Sequence, residues 1–103
     1  MRSEEIKDKV NDFIECTKMQ CGQLGLYALQ DELADVEYTV EITDEFYRLT
    51  LTRRKKKLRV VQHISNAALN QVRNADAAIN TVIKDSFNLL FNGSEHWHEL
   101  CMS

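Results

Sequence analysis

Apolar residues near the start of the chain recur at the three- and four-residue spacing of an amphipathic helix. The stripe consists of Ile6, Val10, Phe13, Thr17, Cys21 and Leu24. Ser3 can cap this helix, and the two acidic residues that follow it suit the positive end of the helix dipole. Gly22 and Gly25 interrupt the pattern, because glycine weakens a helix interior. The sequence therefore predicts a helix over 3–22 and a short second helix that ends near Ala34.

The spacing then changes to the alternation of half-buried strands. Segments 36–42, 47–52 and 58–64 alternate apolar and polar residues and are separated by short polar turns. Connections this short permit only an antiparallel meander. Since each strand has one apolar and one polar face, we expect helices to cover one side of the sheet and leave the other open.

A second long apolar stripe predicts one continuous helix over 66–91, capped by Ser65 and ended by Asn92-Gly93. The stripe consists of Leu69, Val72, Ile79, Ile83 and Leu90. Ser94 can cap one further turn that carries Trp97. At ~1.5 Å per residue the long helix would span about 39 Å, whereas a seven-residue strand spans about 23 Å. Its surplus apolar end would then need the first helix, the last turn or a second subunit of a homodimer.

Together these patterns predict an α+β fold in the order α-β-β-β-α. Two long antiparallel helices are expected to pack on one face of a three-stranded antiparallel meander, with a short C-terminal helical turn. The long elements fit a chain that contains no proline and three glycines. No repeat or linker divides the chain, so we expect residues 1–103 to form a single domain.

Composition favours a folded protein of the cytoplasm. Leu, Ile, Val and Phe supply 28 of the 103 residues, above the level of roughly 20% that is typical of disordered chains. No apolar run approaches the ~18 residues of a membrane span, and the acidic start is unlike a signal peptide. Three cysteines, an odd number in a short chain, argue against a secreted disulfide framework. We expect a reduced, cytoplasmic protein with no membrane partner.

The net charge of −3 conceals an uneven distribution. Seven of the thirteen basic residues lie within twelve positions that contain no acid, and the meander places most of them where the second strand turns into the third. These candidate partner-binding residues are Arg48, Arg53, Arg54, Lys55, Lys56, Lys57 and Arg59. Such a cluster can steer an anionic partner over ~8–10 Å. The competing interpretation is a lysine-rich turn that protects a sheet edge and keeps the protein soluble.

The pattern favours a small non-enzymatic interaction protein that binds and modulates a macromolecular partner, with inhibition as one form of modulation. A protein partner comes first, for example a nucleic-acid-handling protein whose basic surface meets the acidic first helix. Direct DNA or RNA binding through residues 48–59 is the alternative. The sequence contains no glycine-rich phosphate loop and no closed zinc spacing among His96, His98 and its three cysteines. We therefore predict no catalytic residues, no cofactor and no metal.

The order helix–strand–strand–strand–helix over 31–91 resembles that of the double-stranded RNA-binding domain. That family carries a Gly-Pro-X-His loop between its first two strands and a Lys-Lys-X-Ala-Lys run at the start of its last helix. This chain has Thr43-Asp44-Glu45 in the first position and Ser65-Asn66-Ala67-Ala68 in the second. The resemblance is limited to the order of elements, and element order alone assigns no function.

Overall fold

The computed structural model describes residues 2–71 and 73–102. Over these residues the chain has the predicted α+β fold, with five helices and a three-stranded antiparallel sheet. The elements are α1 (Arg2–Leu24), α2 (Tyr27–Ala34), β1 (Val36–Ile42), β2 (Phe46–Arg53), β3 (Leu58–Ser65), α3 (Asn66–Gln71), α4 (Ala75–Leu90) and α5 (Glu95–Cys101). No helix in the described ranges is long and apolar enough to cross a membrane. The predicted core residue Val72 lies outside the described residues.

The sheet confirms the predicted meander, with strand order β1-β2-β3. Rows of side chains cross all three strands, as in Tyr38–Leu51–Val60, because both pairs are antiparallel and in register. One face carries the fully buried Leu49 and Leu51. The other side, here called the open face, is polar and not packed against the helices. Its residues are Glu37, Thr39, Glu41, Arg48, Thr50, Thr52, Arg59, Val61 and His63.

Helices α1 and α4 build the core against the buried face of the sheet. The Phe13 and Phe87 rings meet at 4.7 Å between centroids and join the two helices. Phe91 stacks on Trp97 at 4.9 Å, so the C-terminal helix α5 closes one end of this core. Aromatic contacts at such distances add stability beyond the area they bury.

The predicted continuous helix over 66–91 is wrong, because the chain breaks between α3 and α4. The Asn74 side chain accepts a hydrogen bond from the Ala77 N–H at 3.1 Å and so begins a new helix. At ~1.5 Å per residue, the 16 residues of α4 span about 24 Å. A strand of eight residues spans about 26 Å at ~3.3 Å per residue. The helix therefore matches the sheet in length and has no overhanging end.

The long helices run parallel rather than antiparallel. Lys9 Nζ lies 3.6 Å from Asp76 Oδ1, and Phe13, further along α1, meets Phe87, further along α4. Contacts therefore advance in the same direction along both helices. The direction follows from the topology, since the chain reverses at each of the four steps from α1 through the three strands to α4.

The helix caps agree with the sequence in two of three cases. Ser65 accepts a hydrogen bond from the Ala68 N–H at 3.3 Å, and Ser94 accepts one from the Trp97 N–H at 3.2 Å. The predicted cap at Ser3 is wrong, because α1 already includes Arg2 and Ser3 is buried within the helix. Gly93 has a φ of +88°, the left-handed conformation that glycine favours, in the turn between the end of α4 and the start of α5.

Candidate macromolecular interface at the basic loop

Four basic residues connect β2 to β3 and form a surface here called the basic loop: Arg54, Lys55, Lys56 and Lys57. All four are exposed. Lys57 has a φ of +56°, a left-handed conformation that costs a residue with a side chain roughly 1–2 kcal/mol. Glycine or asparagine is the usual residue at such a position, so the loop keeps a positive charge where uncharged residues would be more stable.

The lysines of the basic loop leave their charges free. Within residues 2–71 and 73–102, the ammonium groups of Lys55, Lys56 and Lys57 form no ion pair. Arg54 Nε lies 3.3 Å from Glu37 Oε1, and both side chains are more than half exposed. Exposed pairs of this kind contribute little to stability. The loop therefore presents to the solvent three ammonium groups that are not held in ion pairs.

Arg53 does not belong to the exposed surface, although the sequence places it among the partner-binding residues. Its side chain lies on the buried face of β2 and the residue is only 6% exposed. Nη2 lies 3.4 Å from Glu32 Oε1 of α2, and Nη1 donates a hydrogen bond to the Leu90 carbonyl at 3.5 Å. The guanidinium carbon also lies 4.3 Å from the centre of the Phe91 ring. Arg53 thus anchors the start of the loop to α2 and to the end of α4.

A second anchor holds the backbone of the loop. The Lys55 N–H donates a hydrogen bond to Asp35 Oδ2 at 2.8 Å, and the Arg54 N–H donates one to the Asp35 carbonyl at 3.3 Å. Asp35 directly follows α2 and caps its end. Because Asp35 and Arg53 hold the base of the loop from two sides, the lysines project from a fixed platform.

The structure brings acids to the basic loop that the sequence pattern did not associate with it. A cleft of about 150 Å³ separates the loop from α2 and is lined by Asp31, Glu32, Asp35, Arg53, Lys55 and Lys56. The first three come from a segment about twenty positions earlier in the chain. The register of β1 and β2 was the available signal, because it sets Asp35 opposite Arg54. Opposite charges therefore alternate over short distances at this end of the molecule.

The two remaining candidates, Arg48 and Arg59, both lie on the open face but at different ends. Arg59 shares a row with Glu37 and Thr52, next to the basic loop. Arg48 lies near the other end of β2, six positions before Arg54, and so about 20 Å from the basic loop at ~3.3 Å per residue. Its partners there are Glu41 Oε2 at 3.3 Å, His63 Nε2 at 3.4 Å and the Phe46 ring at 5.8 Å. The predicted cluster therefore divides into the basic loop with Arg59, a separate Arg48 and a buried Arg53.

The cysteines and acids elsewhere do not join this site. All three cysteines are free, with Cys16 and Cys101 exposed and Cys21 buried. Burial raises the pKa of the Cys21 thiol, which further disfavours the reactive thiolate. Asp76 has a lowered pKa, because its carboxylate can accept a hydrogen bond from the protonated Glu5 carboxyl and lies near the positive charge of Lys9. In the described part of the chain, no three metal-binding side chains come together.

Comparisons of the chain with protein families, with curated proteins and with solved structures find no match.

Proposed function

We propose that this protein is a non-enzymatic binding protein of the cytoplasm that modulates a protein partner through the basic loop. Inhibition of that partner is one form the modulation can take, and a protein that itself handles nucleic acid is one candidate. Three free cysteines, two of them exposed, fit a reducing compartment. The partner is expected to present an acidic patch to Lys55, Lys56 and Lys57.

The proposal depends on how the three unpaired lysines are held. The backbone of the loop is anchored to the core, and one of the lysines has a conformation that lowers stability. Arg53 and Asp35 hold the base of the loop, and Lys57 occupies a left-handed position where glycine would be more stable. Solubility alone requires charge but no defined geometry. A fixed loop loses less conformational entropy on binding than a mobile one, so its charges contribute more to recognition.

The mixture of signs around the loop favours a protein partner over a nucleic acid. Asp31, Glu32 and Asp35 line the cleft beside the lysines, and Glu37 pairs with Arg54. A nucleic acid presents phosphates along its whole length and would bring negative charge against these acids. A protein surface can place an acidic group against the lysines and a basic group against the acids. Such complementarity fixes orientation and partner choice.

Charge reversal of the loop tests the proposal. The variant carries Lys55, Lys56 and Lys57 changed to Glu. The matched control carries Lys7, Arg73 and Lys84 changed to Glu, which alters the net charge equally at sites away from the loop. We expect affinity capture from native cells to recover the same partner with the wild type and the control, and to lose it with the loop variant. Equal capture by all three proteins would contradict the proposal.

Direct nucleic-acid binding is tested by fluorescence anisotropy of labelled single- and double-stranded DNA and RNA at two salt concentrations. Phosphate contacts release counterions, so true binding weakens steeply as salt rises, with a slope of about −0.9 per neutralised phosphate on duplex DNA. We expect the loop variant and its control to show the same anisotropy with every nucleic acid. Salt-sensitive binding that the loop variant alone has lost would establish the loop as a nucleic-acid reader instead.

A further inference from the structure

The outer edge of β3 carries unused backbone hydrogen-bonding groups. The Asn66 N–H donates to the Glu45 carbonyl at 3.0 Å in the register of β2 and β3. Since bonded and non-bonded pairs alternate in an antiparallel ladder, even-numbered residues of β3 bond to β2. The N–H and C=O groups of Arg59, Val61 and His63 therefore point away from the sheet. Within the described residues they meet no backbone partner.

This edge has little of the usual protection against pairing. Natural edge strands are kept apart by charged side chains, lysine above all, and by prolines, bulges or short length. β3 is eight residues long, contains Arg59 but neither lysine nor proline, and pairs with β2 without a bulge. Leu58 is 46% exposed and Val61 44% exposed. The strand is thus a regular and partly apolar edge that can accept another strand.

The flank of α4 above this edge is apolar as well. Asn80 and Lys84 of α4 line a cleft together with residues of α1. By helical geometry, Ala78, Val82 and Leu89 lie on the opposite flank, above β3, the strand that α4 contacts most. Leu89 is 56% exposed, although it belongs to the helix that covers the sheet. A strand added to β3 would therefore find apolar side chains beside it as well as backbone groups.

We propose that the strand which pairs with β3 is β3 of a second copy of this chain, in antiparallel orientation. With Gln62 at the two-fold axis, Val60 lies opposite Ile64 of the second copy and Val61 lies opposite His63 of the second copy. Arg59 then lies opposite Ser65 of the second copy, so no two like charges are paired. The interface is self-complementary and closed, which yields a dimer with one six-stranded sheet.

Repulsion between like charges at the edge of β1 favours the edge of β3 instead. Full antiparallel overlap of two β1 strands would set Glu37 opposite Glu41 of the second copy, twice in the dimer, and like charges directly opposite each other are destabilising. Pairing through β3 avoids this repulsion. It also places the two basic loops at opposite ends of the joined strands, about 26 Å apart for eight residues at ~3.3 Å each.

Sedimentation equilibrium with Val61→Lys tests the dimer. Thr39→Lys is the matched control, because Thr39 and Val61 share one row of the open face at opposite edges of the sheet. We expect the wild type and the Thr39 variant to show a mass near twice the chain mass of 12.0 kDa. Val61→Lys should shift the mass to that of one chain while circular dichroism shows an unchanged fold. A monomeric wild type, or a dimer that survives Val61→Lys, would overturn the proposal.

A cross-link tests the same interface without weakening it. Two Gln62 residues at the axis form a non-hydrogen-bonded pair with Cα atoms ~4.5 Å apart, within the range of a disulfide. In a background of Cys16→Ser and Cys101→Ser, Gln62→Cys should form a covalent dimer on mild oxidation, and Thr39→Cys should not. Cross-linking of both variants alike, or of neither, contradicts the pairing. The pairing is also contradicted if the protein is a monomer and its β3 edge binds a strand of another protein.

Discussion

Arg53 is the residue that connects the basic loop to the core. It lies against Phe91 and pairs with Glu32, whose side chain is one-third exposed. Removing one partner of a fully buried pair costs roughly 3–5 kcal/mol, and the partial exposure of Glu32 reduces this cost. We expect Arg53→Ala to lower the free energy of unfolding by about 2 kcal/mol in urea titrations. Arg54→Ala, the exposed neighbour, should cost less than about 0.5 kcal/mol. Equal effects would refute the anchoring role.

Lys57 should be a position where a small residue improves stability. Its left-handed φ of +56° is unfavourable for lysine and free of strain for glycine. Glycine also gives the unfolded chain more freedom, which offsets part of the gain. We expect Lys57→Gly to raise the free energy of unfolding by about 0.5–1 kcal/mol and Lys56→Gly to raise it not at all. The same substitution should weaken partner binding, because it removes one of the three free charges.

At the scale of elements, the strands were predictable and the helix break was not. Strict alternation through Tyr47, Leu49 and Leu51 locates β2 and its inward face. The same alternation, continued by two residues, places Arg53 on the inward face. Arg53 was instead grouped with the neighbouring basic residues and expected to be exposed. The break before α4 leaves a much weaker trace, because helical spacing resumes on its far side and no glycine or proline marks it. Asn74 followed by Asp76 was the local sign of a new helix.

Asn74 caps the start of α4, so truncation of its side chain should lower the stability of the protein. Its side chain accepts a hydrogen bond from the Ala77 N–H, one of the unpaired donors at the helix start. Asn74→Ala should lower the free energy of unfolding by about 1 kcal/mol. Asn70→Ala changes an exposed asparagine of α3 and should be neutral or slightly stabilising, since alanine is the better helix former. Thermal unfolding of both variants gives the comparison.

Asp76 of α4 pairs with Lys9 of α1 and should make the stability of the protein depend on pH in the acidic range. Its lowered pKa means that the folded state favours the carboxylate, so the contribution is present above the usual value of about 3.9 and is lost as pH falls through the folded pKa. Asp76→Asn lacks this contribution at every pH. We expect the stability difference between wild type and variant to stay constant from about pH 7 to pH 5 and to shrink below about pH 4. Urea titrations across this range measure it.

At the scale of the molecule, the distribution of charge over the folded surface could not be predicted from the order of residues. The sequence isolates seven basic residues within twelve positions, yet the fold buries one, separates another by about 20 Å and surrounds the rest with acids. The packing of α2 against the start of the loop produces this arrangement. The surface that a charged segment forms depends on which other residues the fold places beside it.

The most direct test of the central claim is photo-crosslinking from the basic loop in native cells. A photoreactive amino acid replaces Lys56, which is exposed at the centre of the loop, and a control chain carries it at Lys84 on α4. We predict a discrete protein adduct from position 56 that is absent from position 84. Adducts with nucleic acid, or the same adducts from both positions, would contradict the claim that the loop binds a protein partner.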